Sequence, residues 1–168
     1  MATTETETAR EVVTEYFEAL GAQDLDRAVA TWKPGSLDRL YGFADLIAPE
    51  GIRDYFGGIF EAIPDFRIKV LSTVAEDNQV AVRWRATGTF DGTGTFEGLA
   101  PNGRSVVLEG VDLLTVRDGR IVANEAYTNA MEFARQVGAL PPQGSAAEKA
   151  LAGAFNAKTA IAKRLRGG

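Results

Sequence analysis

Apolar and polar side chains alternate along most of the segment 66–128, and this pattern constrains the fold more than any other feature of the sequence. A period of two residues predicts β-strands that bury one face. Turn sequences interrupt the alternation at residues 76–78, 91–94, 100–104 and 118–119. The last of these is Asp118-Gly119, a pair that is typical of a tight hairpin turn. The segment is therefore predicted to be a meander of antiparallel strands.

Three helices are predicted before this meander. The first has apolar residues at helical spacing between Val12 and Leu20. The second follows Asp24 as its N-cap, includes Trp32, and is predicted to end at the Lys-Pro-Gly sequence of residues 33–35.

The third helix is predicted between Pro49 and Pro64, with an apolar stripe that begins at Ile52. Residues 36–48, which precede it, lack a helical period and are predicted to contain a strand. Helices followed by a run of strands predict an α+β domain, in which the helices pack on one face of a curved antiparallel sheet.

The composition changes after residue 142 to one rich in Ala, Gly, Lys and Arg. We therefore divide the chain into a domain at 1–142 and a C-terminal helical extension at 143–168. Residues 145–165 predict an amphipathic helix whose apolar residues are Leu151, Phe155, Ile161 and Leu165. We expect this helix to dock on its own domain or on a partner subunit, in preference to a membrane surface.

The sequence has no His and no Cys, which removes whole classes of catalytic chemistry. Imidazole bases, Ser-His-Asp triads, thiol nucleophiles and the usual zinc sites all need one of these residues. A general acid or base must therefore be Asp, Glu, Tyr, Lys or a positioned water. No carboxylate cluster has the spacing of a metal site, so we expect no metal requirement.

Charge and hydropathy limit the partners and the location of the chain. With 18 Lys and Arg against 23 Asp and Glu, the formal charge of −5 argues against nucleic-acid binding. No apolar run is long enough to cross a bilayer, and the first ten residues lack the pattern of a secretory signal. We expect a cytoplasmic protein without a membrane partner.

Asp112 interrupts an otherwise apolar strand and is the strongest candidate for chemistry. Strand parity places it on one face with Leu108, Gly110 and Leu114. A carboxylate that faces a core is costly unless it has a partner or a function. The same parity places Trp84 and Phe90 on the inner face of the preceding strand, and Asn124 on that of the following one. We therefore expect an apolar pocket with a few polar groups.

Four stretches carry a resemblance to a known superfamily: residues 15–36, 49–68, 80–92 and 110–141. Their order is similar to that of the nuclear transport factor 2-like superfamily, and most similar to its SnoaL-like polyketide cyclase branch, over about residues 8–142. The resemblance implies a conical α+β barrel, related in shape to cystatin, with a deep pocket. It also implies an absence of cofactor and, commonly, a dimer.

The resemblance also implies roles for individual residues. Asp112 falls on the protonated acid of steroid isomerases, and Tyr16 falls on the tyrosine of the same oxyanion hole. The isomerase base falls near Leu40, which cannot accept a proton, but Asp38 lies two residues earlier on the same face. Relatives often carry an Asp where this chain has Asn129, and a His where it has Phe90.

We predict a cofactor-independent cyclase or isomerase that acts on a polyketide-like or polycyclic carbonyl compound by Asp-based acid/base chemistry. Two alternatives stay open at this point: an enzyme that opens epoxides, and a small-molecule binding protein without catalysis. We also expect a homodimer that pairs through the open face of the sheet. The predicted catalytic residues are Asp112, Asp38 and Tyr16, and the predicted substrate contacts are Asn129, Asn124, Trp84, Phe90, Tyr41 and Leu114.

Each of these residues also has a purely structural interpretation. Asp112 could be a capped carboxylate, and Asp38 could belong to a turn. Tyr16, Trp84 and Phe90 could be ordinary core side chains. Asn124 and Asn129 could orient a ligand carbonyl or merely cap the chain where a strand ends. The two interpretations differ in whether these side chains share one cavity.

Overall fold

The computed structural model describes residues 4–166, which form five helices and six strands. The helices are α1 (Thr4–Gly21), α2 (Leu25–Ala30), α3 (Glu50–Ala62), α4 (Ala130–Gln136) and α5 (Ala146–Arg166). The strands are β1 (Trp32–Tyr41), β2 (Ala44–Ile47), β3 (Arg67–Glu76), β4 (Gln79–Phe90), β5 (Arg104–Arg117) and β6 (Arg120–Thr128). The predicted α+β class is confirmed, with helices at the N-terminus and a C-terminal helix.

The six strands form one curved sheet in the order β2-β1-β6-β5-β4-β3. The meander from β3 to β6 is antiparallel throughout, as the alternation and the turn sequences predict. β1 departs from this pattern because it runs parallel to β6. These two strands are far apart in the chain, so no hairpin forces them to be antiparallel. The parallel pairing matters below because it places Asp38 beside Asn124.

The predicted second helix is too long at its C-terminal end. α2 begins after Asp24, whose side chain accepts a hydrogen bond from the backbone N–H of Arg27, but it ends at Ala30. Trp32 is the first residue of β1, where it pairs with Ile121. The Lys-Pro-Gly sequence lies within β1, at a shift in register that follows Trp32. The tertiary pairing with β6 therefore overrides the local helix signal.

The helices α1 and α3 pack on the inner face of the sheet. Alternate residues of the strands are buried there, which confirms the parity expected for β4, β5 and β6. Helix α1 contributes Val13, Phe17 and Leu20, and α3 contributes Ile52, Phe56 and Ile59. The helices cover the inner face incompletely, and a cavity lies between them and the sheet.

Helix α5 does not dock on its own domain. None of its residues is buried, and Phe155 and Leu165 are 68% and 80% exposed. Only its first turn is anchored, because Glu148 forms an ion pair with Arg135 and accepts a hydrogen bond from the backbone N–H of Gly144. The expectation that this helix docks on its own domain is wrong, and docking on a partner subunit stays a prediction. Among residues 4–166, no helix is long and apolar enough to cross a membrane.

Candidate active site

The cavity is a mostly apolar space between α1, α3 and the inner face of the sheet. Aromatic side chains form much of its wall: Phe43, Tyr55, Phe56, Phe66, Phe96 and Phe133. Four polar side chains, those of Tyr16, Asp38, Asp112 and Asn124, lie together in this wall. An apolar cleft with a small group of convergent polar side chains is the usual form of a small-molecule site.

Asp38 and Asp112 are joined by the side-chain amide of Asn124. The Nδ2 group of Asn124 donates to Asp38 Oδ1 at 2.9 Å and to Asp112 Oδ2 at 2.8 Å. The sheet register explains this contact: Asp38 pairs with Asn124 across β1 and β6, and Asp112 lies two residues from the partner of Asn124 on β5. All three side chains are buried, and Asp38 is only 1% exposed. One amide therefore holds two carboxyl groups in a dry site.

Trp84 supplies a second hydrogen bond to Asp112. Its indole Nε1 donates to Asp112 Oδ1 at 2.7 Å. Gly110 is the residue opposite Trp84 across β4 and β5, and a Cβ atom at Gly110 would overlap the indole ring. The glycine inside the strand thus makes room for the ring to lie over its backbone and to reach Asp112.

Tyr16 lies on the other side of the carboxyl pair, next to Asp38. Its hydroxyl is 3.5 Å from Asp38 Oδ2, a long hydrogen bond. Its ring packs edge-on against Trp32, with the centroids 5.6 Å apart. Burial raises the pKa of Tyr16 well above its usual value, and the nearby charges of Asp38 and Asp112 raise it further. Tyr16 is therefore a neutral hydrogen-bonding group at any ordinary pH.

Burial also raises the pKa values of both carboxyl groups. For Asp38, burial and then the charge of Asp112 raise the pKa to about 7, against the opposing effect of the hydrogen bonds from Asn124 and Tyr16. For Asp112, burial raises the pKa to about 6, while the hydrogen bonds from Trp84 and Asn124 lower it. The two groups form an interacting pair that titrates near neutral pH.

The hydrogen bonds favour the anion on Asp112 and the proton on Asp38. Asp112 accepts two hydrogen bonds shorter than 3 Å, whereas Asp38 accepts one such bond and the long contact from Tyr16. Hydrogen bonds to a carboxylate stabilise its charged form. Near neutral pH the site thus offers a carboxylate and a carboxylic acid side by side.

Asn124 has no N–H group left for a ligand carbonyl. Both hydrogens of its amide are used by Asp38 and Asp112, while its Oδ1 accepts no hydrogen bond from any of residues 4–166. Asn124 therefore positions the two carboxyl groups, and its predicted contact with a substrate stays a prediction.

Comparison with known proteins places the chain in a family. The model of the SnoaL-like polyketide cyclases matches residues 10–137, most of the chain. The chain belongs to the SnoaL-like polyketide cyclase family. The match ends at α4, so α5 lies outside the part shared with the family. A comparison with curated protein sequences found no significant match.

Solved structures share the fold of this family member. A candidate SnoaL-like polyketide cyclase from Jannaschia sp. CCS1 superposes with a TM-score of 0.74 at 24% identity, covering 84% of this chain and 99% of its own. A candidate polyketide cyclase from Xanthomonas campestris pv. campestris gives 0.69 at 25% identity, covering 80% and 100%. AclR, a candidate hydroxylase from Streptomyces galilaeus, gives 0.70 at 25% identity, covering 81% and 99%.

Asn129 does not occupy the cavity of this SnoaL-like protein. It is exposed, and its side chain caps α4 by accepting a hydrogen bond from the backbone N–H of Glu132 at 3.1 Å. The predicted substrate contact is thus corrected to a helix cap. Sequence analysis missed α4, although Asn129 followed by Glu132 three residues later is a recognisable start signal.

Three other predicted substrate contacts also lie outside the cavity wall. Phe90 and Leu114 are fully buried. Phe90 packs against the ring of Phe133, and it is Phe133 that lines the cavity. Tyr41 is on the opposite face of the sheet, where its hydroxyl donates to Glu125. Tyr41 follows Leu40, which faces the cavity, so strand parity turns Tyr41 outward.

Several side chains of the cavity wall were not predicted as site residues. Tyr55 and Phe56 belong to the apolar stripe of α3, which by itself does not distinguish a cavity wall from a core. Phe43 and Phe96 lie in connecting segments whose sequences give no periodic signal. Among the described residues, no group of three or more carboxylates is placed to hold a metal ion.

Proposed function

We propose that this protein is a cofactor-independent cyclase or isomerase that acts on a polyketide-like or polycyclic carbonyl compound. One observation carries the proposal: Asp38 and Asp112 face the same apolar cavity and are bridged by Asn124. Membership of the SnoaL-like polyketide cyclase family supports a cyclase role. The aromatic wall suits a planar, largely apolar substrate.

The first step is the removal of a proton from a carbon next to a carbonyl group. The Asp112 carboxylate accepts this proton as the C–H bond breaks. The electron pair of that bond forms the C=C bond of an enol, and the carbonyl π pair moves onto oxygen. Asp38 donates its proton to that oxygen. The Tyr16 hydroxyl donates a hydrogen bond to Asp38 and stabilises the carboxylate that forms. The base and the acid are thus assigned by the hydrogen bonds that each carboxyl group accepts.

The second step completes the reaction and restores the site. In a cyclisation, the enol carbon attacks a second carbonyl carbon of the same molecule, forming a C–C bond. The enol O–H returns its proton to Asp38, and the new alkoxide takes the proton held by Asp112. In an isomerisation, Asp112 instead gives its proton to a different carbon of the conjugated enol, while the enol O–H returns its proton to Asp38 and the carbonyl group re-forms. Either route consumes no cofactor and leaves both carboxyl groups as they began.

Deuterium uptake tests the first step without knowledge of the natural substrate. A panel of aromatic and alicyclic 1,3-dicarbonyl compounds is incubated in D2O with the protein, and incorporation at the acidic carbon is followed by NMR. The wild type should accelerate exchange, and Asp112→Asn should lose most of this effect. Glu109→Gln is the matched control, because Glu109 lies on the same strand but pairs with Arg83 and Arg85 on the outer face.

Three results would count against the proposal. If compounds bind but exchange is no faster than in buffer, the protein is a binding module. If epoxide probes are opened while exchange is absent, the carboxyl pair serves epoxide chemistry instead. If Asp112→Asn exchanges as fast as the wild type, Asp112 is not the base.

A further inference from the structure

We propose that α5 of one subunit docks on a second copy of this chain, in the groove between α1 and β3. We define this α1–β3 groove by Phe17 and Glu18 of α1 and by Ile68, Val70 and Thr73 of β3, which line it. The proposal rests on two uncovered apolar surfaces of the same molecule and on their opposite charges. It does not depend on the proposed chemistry of the cavity.

The first uncovered surface is one face of α5. Leu151, Phe155, Ile161 and Leu165 recur at spacings of four and six residues and are between 55% and 80% exposed. Such spacing places them on one side of a helix. Most of the stability of a helix in a protein comes from packing its apolar face, and an exposed apolar stripe marks an interaction surface.

The second uncovered surface is the edge of the sheet at β3. This strand pairs only with β4, so its other edge is free of any described strand. Val70, Leu71 and Val74 are exposed there, and Val74 is 71% exposed. Proteins commonly protect such an edge by covering it with a helix. Within residues 4–166 of one subunit, α1 packs against β3, yet these three side chains stay exposed.

The charges of the two surfaces indicate that the helix that binds in the α1–β3 groove is α5 of a second copy. Helix α5 carries five of the 18 Lys and Arg and one of the 23 Asp and Glu, so it has a formal charge of +4 and the rest of the chain −9. Helix α1 has five Glu and one Arg. Glu18 lines the groove, and helical spacing places the exposed Glu7 and Glu11 on the same side of α1. None of the three has an ion pair among the described residues. A basic apolar helix therefore complements an acidic apolar groove.

Length and symmetry agree with this arrangement. The 21 residues of α5 span about 31 Å at 1.5 Å per residue, and the 18 residues of α1 span about 27 Å. An exchange of α5 between two copies makes the same contact twice, which is the geometry of a two-fold dimer.

Charge reversal on the two sides of the contact tests the proposal in the full chain. Sedimentation velocity should give the wild type a mass of twice 18.0 kDa at micromolar concentration. Lys158→Glu with Arg166→Glu on the apolar side of α5 should weaken the dimer at least about tenfold. Glu11→Lys with Glu18→Lys on α1 should do the same. The control is Lys149→Glu with Lys163→Glu, on the opposite side of α5. This double variant should change the dissociation constant of the dimer less than about threefold.

A mixing experiment separates this contact from any other. When the α5-reversed and α1-reversed chains are combined, each contact again joins opposite charges, so a heterodimer should form although neither chain dimerises alone. A wild type that stays monomeric overturns the proposal. A dimer that neither reversal weakens is held by another face and overturns it too. A monomer that cosediments with phosphatidylserine vesicles through α5 would assign the apolar face to lipid and likewise overturn it.

Discussion

Replacing Asp38 by Asn should stabilise the protein, and the gain should depend on pH. The pKa of Asp38 is raised from 3.8 to about 7 by burial and by the charge of Asp112. Ionising Asp38 therefore costs the folded protein about 4 kcal/mol more than the unfolded chain. The folded state holds its proton more tightly, so this penalty is absent below about pH 4 and grows until the pH passes about 7. The amide that replaces the carboxyl group in Asp38→Asn does not ionise, so the variant has no such penalty.

Urea unfolding of the wild type and of Asp38→Asn at several pH values measures this effect. At pH 4 the two free energies of unfolding should differ only by the hydrogen bonds that the amide keeps or loses to Asn124 and Tyr16. At pH 8 the free energy of unfolding of Asp38→Asn minus that of the wild type should be larger than at pH 4 by up to about 4 kcal/mol. Asp54→Asn, which changes an exposed carboxylate on α3, is the matched control. If the difference for Asp38→Asn varies with pH no more than that for Asp54→Asn, the assigned environment of the pair is refuted.

Further predictions concern the groups around the pair. Trp84→Phe removes the N–H donor to Asp112, so the pKa of Asp112 should rise and the acid limb of the turnover–pH profile should move up by about one pH unit. Gly110→Ala should displace the Trp84 ring, lower the free energy of unfolding by about 1–3 kcal/mol and shift the pH profile in the same direction. Gly153→Ala in α5 is the control and should cause neither effect, because a Cβ there meets open space. Turnover should survive exhaustive chelation, and a loss that added metal restores would contradict the carboxylate mechanism.

Strand parity predicted the central part of the site. Asp112 lies among apolar residues on a strand whose inner face is buried, so turning its carboxylate outward would also have exposed Leu108 and Leu114. The same argument placed Trp84 and Asn124 on the inner face. It could not reveal that Asn124 bridges two carboxyl groups, because that contact depends on the parallel pairing of β1 with β6.

Local signals failed where long-range pairing or an exposed cap decided the outcome. Trp32 continues the apolar pattern of α2, yet its backbone joins the sheet through Ile121. Asn129 was assigned to the cavity because the family resemblance implied an acidic residue there, but a short polar side chain at the start of a helix satisfies backbone N–H groups instead. Phe96 reaches the cavity from a connecting segment with no periodic pattern.

The central claim is that Asp38 and Asp112 share about one proton near neutral pH. Carbon-13 NMR of the Asp side-chain carboxyl groups, assigned with Asp38→Asn and Asp112→Asn, follows each group directly and needs no substrate. The account predicts two coupled resonances that titrate between about pH 6 and 7, with Asp38 holding its proton to the higher pH. Two independent titrations near pH 4, the range of exposed carboxylates, would contradict it.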